Sequence, residues 1–119
     1  MLRRNRLTFH SSGRLRRRLI PALGAAMEMQ RELAAAIEEF DAWDRPWEFY
    51  ASVSSSLRPA ARPELERIWA TAIDSVGWST CEDLAQGSSL AETRLSQSFP
   101  WLSAKARKQL ASGAAYQWR

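Results

Sequence analysis

Four carboxylates stand close together in the first half of the chain: Glu38, Asp41, Asp44 and Glu48. If a helix persists from 38 to 41, the first two share a side, and carboxylates paired in this way can relay protons or hold a magnesium ion. The surrounding sequence supplies no partner base, no phosphate-cradling loop and no second acidic motif, so their expected role is a solvated face. The other reactive types are single: one histidine, His10, and one cysteine, Cys81. Two ligands are too few for zinc, and a Cys–His nucleophile pair needs the N-terminal segment to fold back across the rest of the chain. Cys81 reads as a residue in the first turn of a short helix, where a thiolate is somewhat favoured. The expectation is a buried, inert thiol. A lone cysteine forms no intrachain disulfide and points to a reducing compartment. No Gly-x-Ser-x-Gly elbow, Gly-x-Gly-x-x-Gly or Gly-Lys-Ser/Thr occurs. The residue types therefore point to a protein that is not an enzyme, with no cofactor and no metal.

Charge is divided unevenly along the chain. Residues 1–26 hold seven arginines and no acid, whereas the whole chain has 17 Lys+Arg and 13 Asp+Glu, which leaves 17 − 7 = 10 bases against 13 acids in the remainder. A basic leader (1–26) thus precedes a mildly acidic body (27–119). Arg14, Arg16, Arg17 and Arg18 are the candidate nucleic-acid contacts, because arginine arms bind phosphate by releasing counterions, without sequence preference. The competing reading gives the leader no selected role in solution. Leu15, Leu19, Ile20 and Leu23, at near-helical spacing, could dock it on the body or on a neighbouring chain. The apolar run Leu19–Ala26 is short and interrupted by Pro21 and Gly24, unlike a secretory signal, and no run approaches the length that spans a bilayer.

The stretch Arg14-Leu15-Arg16-Arg17-Arg18-Leu19-Ile20-Pro21-Ala22-Leu23-Gly24 resembles the translation of an integron cassette recombination site. The Leu-Thr-Phe-His-Ser-Ser-Gly stretch before it corresponds to the other part of such a site's inverted repeat. The resemblance covers about the first 24 residues and implies a bacterial mobile gene-cassette product, with Met27 or Met29 as alternatives to Met1 for the natural start. Nothing in the body resembles a known family. The implied setting is the bacterial cytoplasm.

The body must supply whatever positions a site. Met29, Leu33, Ala36, Ile37 and Phe40 recur at three- and four-residue steps and predict a helix over 25–43. Asp44-Arg45-Pro46 is a restart signal, with Asp44 as cap and proline in the first turn of a helix over 45–57 that frays at Ser54-Ser55-Ser56. The two prolines of Arg58–Pro63 predict a linker. Leu65, Ile68, Trp69, Ala72, Ile73 and Val76 predict a helix from Pro63 to Val76, stopped by Gly77. Ser79-Thr80-Cys81-Glu82 and Ser89-Leu90-Ala91-Glu92 fit capping boxes and predict two short helices, broken at Gly87 and at Phe99-Pro100. A last helix over 100–116 buries Leu102, Ala106, Leu110 and Ala114, with Lys105, Arg107 and Lys108 facing water. No segment alternates like a strand. The fold class expected is all-α, an irregular bundle of about five helices with no sheet.

Six tryptophans are hard to hide in 119 residues. Trp69 lies on a core stripe. Aromatic residues dominate interface cores, so at least one group is expected to line a self-association surface or a pocket. Trp43, Trp47 and Tyr50 come first, followed by Trp101 and Trp118 at either end of the last helix. Leu65–Val76, Gly77 and the helix from Thr80 superficially resemble a helix-turn-helix, but Glu82 and Asp83 at the start of the reading helix would repel phosphates. The expected function is a non-enzymatic protein-binding domain, self-associating as a homodimer through aromatic residues. The alternatives are a nucleic-acid binder using the leader, which the cassette resemblance disfavours, and a small-ligand binder or enzyme with an aromatic pocket.

Overall fold

The computed structural model describes residues 24–118 and is all-α, with no strand among them. Helix α1 covers 24–39 and buries Leu33, Ile37 and, just beyond its end, Phe40. It stops four residues before the expected Trp43. The cause is Gln109 from the far end of the chain, whose amide donates to the carbonyls of Ile37 (3.2 Å) and Phe40 (2.6 Å) and so satisfies acceptors that a longer helix would have used. The Gln109 carbonyl in turn accepts from the Trp43 indole N–H (3.1 Å). Gln109→Leu keeps the size and removes all three bonds; it is expected to cost about 2 kcal/mol, the scale of half-buried polar groups left unpaired. Urea unfolding of the two proteins measures this.

After α1 the chain turns through Asp41–Arg45 into a 3-10 segment, Pro46–Glu48, that runs directly into α2, Phe49–Ser55. Pro46 occupies the first turn as expected, but no side chain caps this end, and Asp44 is exposed with its carboxylate 3.9 Å from Arg45. At the other end of α2 the Ser55 and Ser56 hydroxyls donate back to Ser52 and Val53 carbonyls, which closes the helix at the serines. The expected linker over 58–63 is mostly folded. Pro59–Ala61 forms a 3-10 turn, α3 begins at Arg62, and Ala61 is fully buried. Each proline occupies a helix's first turn, where its missing N–H costs nothing.

Arg58, the one extended residue of this junction, is held by Glu32 of α1, which accepts from its backbone N–H (2.9 Å) and its Nε (2.8 Å). The Arg58 amide, then its guanidinium, hold the Glu32 carboxyl below its ordinary value against the opposing effect of desolvation. A carboxyl lowered on folding stabilises fully above its unfolded value and loses that contribution as pH falls through the folded one. Acidification through this lowered value is thus expected to release the α1–Arg58 tie. A side-chain carbon titration of Glu32 should find its midpoint below that in Arg58→Ala.

Helix α3, Arg62–Ala72, buries Leu65, Ile68 and Ala72, then breaks where the apolar stripe predicted continuation to Val76. Asp74 starts a separate short helix, α4 (Ser75–Ser79), by accepting from the Gly77 N–H at 3.2 Å. The carbonyl of Ala72, which a continuing helix would pair with Val76, accepts instead from the Trp78 indole N–H at 2.7 Å. Gly77 is therefore an interior, buried residue and not a stop, and Val76 is exposed. The next two predicted helices are a single one, α5 (Leu84–Ser98). Its cap is Asp83, which accepts from the Gln86 N–H (2.8 Å) while Gln86 accepts from the Glu82 N–H (2.9 Å). The Ser79 hydroxyl expected to begin this helix donates back to the Val76 carbonyl (3.1 Å), and with the Thr80 hydroxyl, which donates to Gly77, it closes α4. Helix α6 covers Ala104–Trp118, with the Ser103 hydroxyl accepting from Ala106 N–H (3.0 Å); it starts later than expected because Phe99–Leu102 forms a turn. Its buried face includes the predicted Ala106, Leu110 and Ala114, while the predicted Leu102 is buried in the turn before it. Arg107 departs from the solvated set by bending its guanidinium onto the Leu102 carbonyl (2.6 Å). Helices α5 and α6 pack along each other, and α3 packs on both.

Candidate interaction cleft

Phe49, the first residue of α2, is 1% exposed and sits among three other aromatic rings. Phe40 meets it edge-on (5.1 Å between ring centroids), Trp43 stacks on it (5.5 Å), and Trp69 of α3 leans against it at 5.6 Å. Helix α6 closes over this ring at Gly113, where an added Cβ would stand 2.9 Å from Phe49 Cδ2. Glycine is required there because the helix backbone lies against a ring. Phe49 and Gly113 thus form the floor of an open cleft of about 490 Å³, whose walls are Trp47, Tyr50, Trp69 and Tyr116, with Pro46 and Gln117 at its edges. Tyr50 and Trp69 are 5.6 Å apart and tilted, as are Trp47 and Tyr116 at 6.1 Å. Trp47 is 59% exposed. Partial burial, and next to it the carboxylate of Glu66, push the Tyr50 phenol above its ordinary value. Both effects penalise the phenolate, so the hydroxyl stays a neutral donor.

The structure brings together Trp47 and Tyr50 of the expected aromatic set and separates the others. Trp43 is turned inward, because its N–H is taken by Gln109 and its face by Phe49; it borders a shallow depression with Glu38, Asp41 and Lys105. Trp101 is half-buried edge-on to Phe99. Trp118 donates to the Ile73 carbonyl (3.3 Å) and borders a different hollow, with Trp78, Cys81 and Leu84. Trp69 and Tyr116 complete the cleft, and the sequence reading missed both. Trp69 was accounted for as core, while Tyr116 lies three residues past Gly113, on the α6 face that reaches the cleft.

The reactive residues are dispersed. Helix α1 ends before Asp41, so Glu38 and Asp41 do not share a helix face, and Glu38 accepts from the Ser103 hydroxyl. Among the described residues no three His, Cys, Asp or Glu side chains cluster to hold a metal. Cys81 lies between α4 and α5 and not in a helix's first turn. It is half-buried and not enclosed, with its thiol donating to the Gly77 carbonyl at 3.3 Å. His10 and the arginines Arg14, Arg16, Arg17 and Arg18 lie outside the described residues. No described helix is long and apolar enough to cross a membrane. No protein-family model, curated protein or solved structure matches the chain.

Proposed function

We propose that this chain is a non-enzymatic protein-interaction domain that self-associates through the Trp47–Tyr50 cleft. The observation that carries the reading is a large tryptophan left mostly exposed beside an aromatic hollow of about 490 Å³. Exposed aromatic surface of this kind is costly in water and favourable in an interface core. The floor is rigid, since Phe49 is locked by three rings and by α6, so little ordering cost accompanies association. Trp43 and Trp101 have their rings engaged within the fold, which supports concentrating the binding role on Trp47 and Tyr50. Sedimentation equilibrium of the full chain tests this. The wild type is expected to form a dimer that Trp47→Ser weakens by at least tenfold, about 1.4 kcal/mol or more, with no loss of helix content. A wild type that stays monomeric at the highest attainable concentration contradicts the reading.

A further inference from the structure

The walls of the cleft are four ring systems, and the described lining contains no lysine or arginine. Aromatic faces carry negative potential and attract cations, guanidinium groups most often. Glu66 places a carboxylate near enough to Tyr50 to disfavour the phenolate, so the local field favours a cation as well. The complementary charge is on this same chain: the body has 10 bases and 13 acids, while residues 1–23 hold all seven remaining arginines and no acid.

The reach suffices. Helix α1, from 24 to 39, is about 24 Å long, and Phe40 at its end touches Phe49 in the cleft floor. Ten residues of extended chain span up to about 35 Å, so Arg14 and every arginine before it can return from residue 24 to the cleft. A single exposed contact between a cation and a ring is weak, and a free peptide would bind poorly. A tethered one acts at an effective concentration of about a millimolar, and the several arginines give it repeated chances of engagement.

We propose that the cleft is a guanidinium-binding site whose occupant is the arginine-bearing segment 1–23 of the same chain, laid over the Trp47 and Tyr50 rings. The proposal rests on the reading of the cleft as a binding face. The segment then competes with a second copy for that face. If it fills about nine clefts in ten, and each of two copies must free its own cleft, apparent self-association is weakened about a hundredfold.

The test records the tryptophan indole N–H resonances of the full chain, at concentrations dilute enough to exclude dimer, against a variant with all seven leader arginines changed to glutamine. The Trp47 resonance is expected to differ between the two and the Trp118 resonance to coincide. Synthetic peptide 1–23, added at millimolar concentration to the glutamine variant, should move Trp47 back toward the wild-type position. Coincident Trp47 resonances overturn the proposal. So does a difference that fades on further dilution, which would place the segment in a neighbouring copy, and so does a peptide effect as large at Trp118 as at Trp47. A leader-dependent Trp47 shift in a chain that never dimerises leaves this inference standing and removes the self-association reading instead.

Discussion

Phe49→Ala is expected to lower the stability of the domain by about 4 kcal/mol, the scale of a buried phenyl ring cut back to alanine. The ring is 1% exposed and touches Phe40, Trp43 and Trp69, and the α6 backbone at Gly113 lies against it. Removing it forfeits the transfer free energy of a phenyl group and leaves a void between two helices whose positions are fixed elsewhere, so collapse is limited. Phe49→Leu, which retains most of the volume, should cost about 1.5 kcal/mol. Urea denaturation followed by circular dichroism gives both values, provided the slope of free energy against urea is unchanged. A Phe49→Ala loss below about 1 kcal/mol would mean that the aromatic cluster is a surface decoration and not the anchor of the cleft floor.

Gly87→Ala is expected to destabilise by about 2 kcal/mol, although the same change in an open helix interior stabilises by up to about 1 kcal/mol. Gly87 lies within α5, and a Cβ there would stand 2.2 Å from Trp78 Cε3 and 2.3 Å from Cζ3. The indole cannot simply yield, because Trp78 is buried and its N–H serves the Ala72 carbonyl at the α3–α4 break. The change therefore drives a methyl group into a ring that also fixes the end of α3. Gly24→Ala is the control, since nothing lies within 4 Å of a Cβ at that position; it is expected to leave stability unchanged or raise it slightly. If Gly87→Ala unfolds at higher urea than the wild type, α5 does not pack on Trp78 at this distance. A double-mutant cycle with Trp78→Phe apportions the clash, because the smaller ring vacates part of the space.

Gly87 and Gly77 mark where the sequence misled. Glycine after an apolar stripe is a common helix stop, and both Gly77 and Gly87 read that way. In the structure each is a point of close approach, Gly77 beneath Arg94 and Leu90 and Gly87 beneath Trp78, and no described glycine has a positive φ. The all-helical class and the buried faces of α1, α3 and α6 were legible, because periodic apolar positions report burial whatever the tertiary arrangement. Helix ends were less so. They depend on partners distant in sequence: Gln109 ends α1 from about seventy residues away, and the Trp78 indole ends α3. Local spacing carries no information about such bonds. The cleft was half legible. Trp47 and Tyr50 could be picked out as aromatic residues beside a helix break, but Trp43, which shares that description, is claimed by Gln109. Trp69 and Tyr116 enter only through the packing of α3 and α6 around Phe49.

Within this fold the polar bonds decide which aromatic surface is spent internally and which is left for a partner. Trp43, Trp78 and Trp118 each donate their N–H inside the protein. Trp47, mostly exposed beside the cleft, is the ring with the most surface to give to a second molecule. The most direct test of the self-association account is a concentration series of indole N–H spectra on the full chain, with the six tryptophans assigned by substitution. The account predicts that Trp47 shifts progressively as concentration rises, while Trp43 and Trp78 stay fixed. A series in which Trp118 moves and Trp47 does not, or in which no indole responds, contradicts it.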